Sequence, residues 1–189
     1  MQRSKLLWLA AALTVFTALE APQVVHAQSR SVDIRTPHRG QRPFQLDIHG
    51  GLTWWGWGAA TGARFGIPIL NNGFVPSINN AVYINFGVDF YWTRRYHDSR
   101  GWHYGAGVGF PVALHWEFYF NENWSAFVEL GVNVFLHPRF VHGDAPWDIY
   151  EGGYWFLGQV GGRFHINEWF ALTLRVGTPY TSFGITFLF

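Results

Sequence analysis

The clearest indication of the fold is the stretch AVYINFGVDFYWT at residues 81–93, in which side-chain character changes at every second position. The apolar set is Val82, Ile84, Phe86, Val88, Phe90 and Trp92, and the set between them is Tyr83, Asn85, Gly87, Asp89 and Tyr91. Successive side chains of a β-strand point to opposite faces of the sheet, so a long strict alternation indicates a strand. The stretch therefore predicts a strand with one apolar and one more polar face.

Seven further runs between Phe44 and Phe189 show the same period of two. They are predicted at residues 44–54, 60–70, 104–120, 124–136, 154–165, 169–176 and 180–189. Bacterial single-chain membrane barrels have an even number of antiparallel strands, and about 9–11 residues suffice for each strand to cross. The chain is therefore expected to be an all-β protein, with an eight-stranded antiparallel transmembrane β-barrel over residues 44–189.

Composition favours a membrane barrel over a soluble one. Charged residues make up 13% of the chain and aromatic residues 20%, with a mean hydropathy of +0.01, whereas an average soluble domain has about 25% charged residues. The polar face of the strands is rich in glycine, which suits a narrow interior better than a surface facing water. Aromatic residues recur near the predicted strand ends, as in an interfacial girdle. One rim would hold Trp54, Trp57, Trp92, Trp155 and Tyr180, and the other Phe120, Trp124, Trp169 and Phe189.

The residues before the barrel indicate export. Arg3 and Lys5 precede an apolar run at residues 6–19, and the sequence VHA at residues 25–27 is typical of a signal-peptide cleavage site. The alternative is an N-terminal anchor, but 14 apolar residues are fewer than the about 20 that span a bilayer. We therefore expect a cleaved signal peptide at residues 1–27, followed by a flexible periplasmic tail at residues 28–43.

The predicted connections differ in length. Tight turns follow the fourth and sixth strands, residues 70–80 form a longer turn on the same side, and residues 94–103 and 137–153 are predicted external loops. The last of these carries aromatic and charged residues, and it is the expected contact surface for a partner. The contact residues would be Arg139, Phe140, Trp147 and Tyr150. The alternative is that Phe140 and Trp147 anchor the loop among lipopolysaccharide headgroups.

The polar face of the strands also carries ionisable residues, which closure would bring into the interior. They are Asp47, Arg64, Asp89, His115, Glu117, Glu129, Arg163, His165 and Arg175. Because an unpaired buried charge is costly, these groups are expected to pair and to plug the lumen. A proton or ion path is the alternative.

The C-terminus resembles the terminal strand of bacterial outer-membrane barrels, which the barrel-assembly machinery reads as a signal. The chain stops on Phe189, and Phe187, Ile185 and Phe183 precede it on the same face. The architecture resembles the small eight-stranded group that includes OmpX-like and OmpW-like proteins. That resemblance implies a bacterial outer-membrane location after export to the periplasm, with outer-membrane lipid, lipopolysaccharide and the assembly machinery as partners.

Several function classes find little support. With no cysteine and no clustered basic excess, the sequence predicts no disulfide, no metal, no cofactor and no nucleic-acid binding. His97, Asp98 and Ser99 stand together in a predicted external loop, as a lipid-A acyltransferase would need, but adjacency in a loop is weak support for catalysis. We therefore expect a structural or partner-binding barrel without enzyme activity. The alternatives are a component of an envelope-spanning secretion or motility complex, a lipid-A-modifying enzyme, and a narrow conduit for small hydrophobic molecules.

Overall fold

The computed structural model describes residues 32–54, 58–98, 101–137, 148–149 and 156–189; for 93–98, 101–105, 136–137 and 148–149 it describes the backbone only. Ser31–Phe189 form one compact unit. The predicted signal peptide lies outside the described residues, as do Arg139, Phe140, Trp147 and Tyr150 of the predicted contact loop. Within the described ranges no helix is long and apolar enough to cross a membrane.

All described secondary structure is β-strand and turn. The strands are β1 (Gln45–Thr53), β2 (Gly58–Leu70), β3 (Asn80–Asp98), β4 (Gly101–Tyr119), β5 (Trp124–His137), β6 (Asp148–Ile149), β7 (Phe156–His165), β8 (Phe170–Thr178) and β9 (Tyr180–Leu188). The two-residue β6 pairs only with the end of β5. The other eight form a closed antiparallel ring in which β5 pairs with β7 and β9 pairs with β1. The predicted all-β, eight-stranded antiparallel barrel is confirmed.

The barrel has two distinct ends. At the turn end lie the tight turns around residues 121–123 and 166–169, the longer turn at residues 71–79, and the C-terminus. At the loop end lie the β1–β2, β3–β4 and β8–β9 connections. The seam between β1 and β9 runs from Thr53↔Tyr180 to Gln45↔Leu188. It continues through Phe44 and Phe189, each of which donates its N–H to the carbonyl of the other, at 2.7 and 3.1 Å. Closure leaves no free edge in the ring.

The strands bury their polar face and expose their apolar face. Along β1, Asp47 and His49 are buried inside, whereas Ile48 and Leu52 are exposed, Leu52 by 72%. On β5, Glu129 is 0% exposed and its neighbour Leu130 is 57% exposed. Glycines admit close contact on the inner wall: a Cβ at Gly87 would lie 2.0 Å from the Ala63 carbonyl oxygen. The interior is therefore polar and filled, and the exterior is apolar.

Two expectations about the loop end were wrong. Residues 94–98 and 101–103, predicted as loop, continue β3 and β4, with His97 opposite Trp102 and a bulge between Arg94 and Tyr96. Residues 99 and 100 lie outside the described residues, as do the side chains of His97 and Asp98. Tyr180, predicted at an aromatic rim, is 0% exposed and lies inside the barrel. The alternation of β9 explains it, because Tyr180 has the same parity as the inward-facing Ser182 and Thr186.

The N-terminal segment also differs from the expected flexible tail. Its described part, residues 32–43, forms a strap at the turn end. The Asn79 N–H donates to the Ile34 carbonyl at 2.8 Å, and Val32 packs against the cluster of Ala81, Tyr83 and Tyr119. The guanidinium of Arg42 lies 3.9 Å from the ring centroid of Tyr119 and donates to the Asn71 carbonyl at 3.2 Å. These contacts hold the strap against β3, β4 and the turn at residues 71–79.

Candidate functional site in the barrel interior

Every ionisable residue predicted for the lumen lies on the inner wall. Eight of them are almost fully buried: Asp47, Arg64, Asp89, His115, Glu117, Glu129, Arg163 and Arg175. His165, at the end of β7, has a side chain 13% exposed at the turn end. The eight come from β1, β2, β3, β4, β5, β7 and β8, so only barrel closure brings them together.

The half of the interior nearest the loop end centres on Asp89. Its Oδ2 accepts hydrogen bonds from Tyr180 Oη at 2.7 Å and Tyr91 Oη at 3.0 Å, and its Oδ1 lies 3.2 Å from His49 Nε2. An Arg64 Nη2 nitrogen lies 3.5 Å from the same carboxylate and also donates to Tyr180 Oη. The carboxylate is therefore contacted by side chains from the four adjacent strands β9, β1, β2 and β3, as a buried charge requires.

Two arginines connect this half to the rest of the interior. Arg64 Nη1 contacts Glu129 Oε2 at 2.7 Å. Arg175 Nη1 contacts Asp47 Oδ1 at 2.7 Å, and its Nε lies 3.4 Å from Glu129 Oε1. Asp47 also accepts a hydrogen bond from Thr186 Oγ1 at 2.8 Å. Each arginine thus bridges two carboxylates, which links β1, β2, β3, β5 and β8 across the lumen.

The half nearest the turn end centres on Glu117. Arg163 Nη1 contacts both carboxylate oxygens, at 3.0 and 2.9 Å, and Ser125 Oγ donates to Oε1 at 2.6 Å. Further donors are Gln45 Nε2 and Tyr119 Oη, both at 3.1 Å from Oε2. Ser125 Oγ also lies 3.1 Å from His165 Nε2.

Each half contains a histidine placed between two carboxylates. His49 Nδ1 lies 2.9 Å from Asp47, and its Nε2 lies 3.2 Å from Asp89. His115 Nδ1 lies 2.8 Å from Glu129, and its Nε2 lies 3.3 Å from Glu117. A neutral imidazole donates from one of its nitrogens, so each ring can hydrogen-bond to one of its two carboxylates in either tautomer. Each histidine is therefore a polar link between two acids of the interior.

Apolar side chains pack around the charges. The Phe127 ring lies 4.5 Å from the His115 ring and 5.5 and 5.4 Å from the guanidinium carbons of Arg163 and Arg175. At the loop-end side, Ala60, Tyr91 and Tyr180 form a buried cluster with Phe135 against it. These groups exclude solvent and so strengthen the ion pairs, since charges interact more strongly at low dielectric.

The described part of the interior is built from ion pairs and hydrogen bonds. Among the residues whose side chains are described, no group of three histidine or acidic residues has the geometry to hold a metal ion. The arrangement can fill the lumen and tie non-neighbouring strands together. It leaves a few buried donors and acceptors unpaired within the described part, including Arg163 Nη2, Arg175 Nη2 and Asn133 Oδ1.

Sequence reasoning did not select His49, Tyr180 or Tyr91 for this network. His49 and Tyr91 both have inward parity in their strands, two residues from Asp47 and from Asp89, so the alternation already contained the signal. The residues predicted as an assembly signal, Phe183, Ile185, Phe187 and Phe189, lie on the outer face of the last strand. No known protein-family model matches this chain, and no curated protein matches it significantly in sequence.

Proposed function

We propose that this protein is a bacterial outer-membrane β-barrel whose lumen is plugged by ion pairs, with a structural or partner-binding role. One observation carries the proposal: the barrel exposes its apolar face and buries its charges. Ile48, Leu130 and Val132 are each about half exposed or more, while the interleaved Asp47, Glu129 and Asn133 are buried. In water such a surface would cost free energy at every exposed apolar side chain, whereas in hydrocarbon it is the favourable arrangement.

The aromatic residues at the two ends support the same proposal. Trp54 and Trp92 are exposed at the loop end, and Phe120, Trp124, Trp169 and Phe189 are exposed at the turn end. Tryptophan and other amphipathic rings prefer the two interfaces of a bilayer. Membrane barrels place their short turns on the periplasmic side, so the end with the tight turns at residues 121–123 and 166–169 would face the periplasm and the loop end the outside.

The filled interior argues for a non-conducting barrel. An eight-stranded barrel is just wide enough inside for side chains, and here arginines and carboxylates from non-neighbouring strands meet across it. Substrate passage would require several buried ion pairs to separate. The role is therefore assigned to the barrel as a scaffold and to the surfaces at its two ends.

A role in an envelope-spanning complex is a second candidate, favoured by the turn end. Arg42 donates its backbone N–H to Asn71 Oδ1 at 2.9 Å, and Asn79 donates to Ile34, so strap and long turn form one continuous surface. A periplasmic partner would meet both elements together. Cross-linking from an introduced photoreactive residue at Arg39 or Asn72 should then capture one discrete partner. Diffuse or absent cross-links would contradict this second candidate.

Fractionation and heat-modifiable mobility test the main proposal. The full chain, produced in a Gram-negative host, should sediment with the outer membrane. It should also migrate differently on a denaturing gel before and after boiling, because a closed, fully hydrogen-bonded barrel resists detergent. A soluble periplasmic location, or identical mobility in both samples, would overturn the proposal.

A further inference from the structure

The outer wall of the barrel has a groove where small residues face outward on two adjacent strands. Ala126 on β5 lies opposite Gly162 on β7, with Phe118 on β4 and Leu174 on β8 as their outer neighbours. A Cβ at Gly162 would meet only the Ser125 carbonyl oxygen, at 3.9 Å, so the space above this glycine is open. The large–small–small–large row thus leaves a channel between Phe118 and Leu174.

The groove is sizeable and apolar. It measures about 450 Å³ and continues from Ala126 and Gly162 past Val128, Val160 and Val176 towards the middle of the barrel. Small-molecule sites in proteins typically measure about 300–1,000 Å³. Only apolar residues line the groove, so its surface suits a hydrocarbon chain.

Charge lies at the turn end of the same strands. Glu122, in the β4–β5 turn, and Glu168, in the β7–β8 turn, are exposed, and neither has a side-chain partner within the described part of the chain. The two turns are joined, because His165 N donates to the Asn123 carbonyl at 2.7 Å and Asn123 Nδ2 donates to the His165 carbonyl at 3.2 Å. The pair of carboxylates therefore belongs to one surface beneath the groove.

The distance between charge and groove suits a lipid. Glu122 precedes Ala126 by four residues, and even a fully extended chain of that length spans only roughly 13 Å, which lies within the roughly 15 Å hydrocarbon depth of one leaflet. The rings of Trp124 and Phe164, 4.9 Å apart, lie between the turns and the groove. The glycerol and first methylenes of a lipid would contact these rings, and Trp124 also offers a face to a cation.

We propose that this groove holds an acyl chain of a glycerophospholipid whose headgroup carries a primary ammonium, placed against Glu122 and Glu168. The inference rests on the proposed membrane location. The two carboxylates select the zwitterionic ethanolamine headgroup over a net-anionic glycerol headgroup. Bulk lipid is as apolar as the groove, so apolarity alone does not favour the groove for the acyl chain. The preference of the chain for the groove must therefore come from van der Waals fit.

Native mass spectrometry of the barrel in mild detergent tests the proposal. The protein is recovered from vesicles of equal parts phosphatidylethanolamine and phosphatidylglycerol. The unaltered chain should retain phosphatidylethanolamine over phosphatidylglycerol by about threefold, as expected for exposed charge pairs. The double variant Glu122→Gln/Glu168→Gln should lose this preference while still retaining lipid. Equal retention of both lipids by the unaltered chain would overturn the headgroup assignment.

Two groove-filling variants test the chain site. Gly162→Leu and, from the other strand, Ala126→Leu should each lower lipid retention by about threefold or more, because they remove the fit to the acyl chain. Gly50→Leu is the matched control: a Cβ at that exposed β1 position would meet only the Ala60 carbonyl oxygen, at 4.0 Å, and retention should not change. Unchanged retention in both groove variants would overturn the site. If the unaltered chain proves to be a dimer, and the groove variants dissociate it without changing lipid retention, the groove belongs to a second copy of the chain and the lipid site is overturned.

Failure of the proposed function gives a different result. If the unaltered chain does not enter the vesicles, or lacks heat-modifiable mobility after recovery, both the membrane proposal and the lipid site fall. If it enters and is heat-modifiable, only the lipid site is in question, and the comparison of Gly162→Leu with Gly50→Leu decides it.

Discussion

Arg64 Nη1 and Glu129 Oε2 lie 2.7 Å apart in the barrel interior, although their strands, β2 and β5, are separated by β3 and β4. Glu129 also contacts His115 and Arg175, and both members of the pair are almost fully buried. The contact joins two strands that share no backbone hydrogen bonds. The ion pairs of the interior therefore contribute to the stability of the closed barrel.

Glu129→Ala should lower the free energy of unfolding by about 3–5 kcal/mol, because it leaves Arg64 and Arg175 with less compensation inside the barrel. Denaturant unfolding in lipid vesicles, followed by tryptophan fluorescence, gives the midpoint. The exposed Glu168→Ala is the control and should change stability by less than about 0.5 kcal/mol. Similar midpoints for the two variants would contradict a structural role of the network.

His115→Leu should also destabilise the barrel, by about 2–4 kcal/mol, because it removes the imidazole that lies between Glu117 and Glu129. His165→Leu, which removes a more exposed ring whose hydrogen bond goes to Ser125, should cost about 1 kcal/mol. The same unfolding assay compares them. An equal loss in both variants would argue against the position of His115 between two carboxylates.

Planar-bilayer recordings of the unaltered protein should show no steady large channel, because side chains fill the interior of an eight-stranded barrel. The result is informative in combination with the stability assay. A robust ohmic pore, together with unchanged stability of Glu129→Ala, would favour a conduit over a plug.

Deleting Phe189 should impair assembly far more than removing residues 28–43. Phe189 exchanges two backbone hydrogen bonds with Phe44 at the end of the seam, and its ring centroid lies 6.5 Å from that of Phe65. The amount of heat-modifiable protein in the outer membrane measures assembly. Normal accumulation of the Phe189 deletion would show that the terminal residue is dispensable for closure.

The strap should loosen in mild acid. Partial burial and the nearby Arg42 lower the pKa of His38 below its usual 6.5, so the docked strap favours the neutral ring. Docking is therefore strongest above about pH 6.5 and weakens as pH falls through the lowered pKa. Protease cleavage within residues 32–43 should increase between pH 7.5 and pH 5.5, and His38→Asn should remove that dependence. A pH dependence retained in His38→Asn would assign it to another group.

The strands could be predicted from the sequence because alternation is a pattern between near neighbours in the chain. A period of two determines which side chains share a face, so the inward parity of Asp89, Glu117 and Arg175 follows from their position in each run. The same rule would have placed Tyr180 inside. The prediction that Tyr180 lies at a rim rested on its aromatic side chain and not on its position in the alternation of the strand.

The docking of the strap could not be read in this way. A polar, proline-containing segment is typical of a flexible tail, and nothing within residues 32–43 indicates that Arg42 meets Tyr119 or that Ile34 meets Asn79. These partners are 45 or more residues away in sequence. They come close only because the barrel returns β3 and β4 to the same mouth as the start of β1.

The sequence by itself determined the strands, their two faces and the charge content of the interior, because each depends on alternation between near neighbours. Only the tertiary structure decided the partners: Arg64 with Glu129, Arg175 with Asp47, and each of two histidines between two carboxylates. Pairing across a barrel depends on the register of every intervening strand and on closure of the seam. A shift of two residues in the pairing of one strand would keep each of its side chains on the same face of the barrel. It would nevertheless change the partners of those side chains.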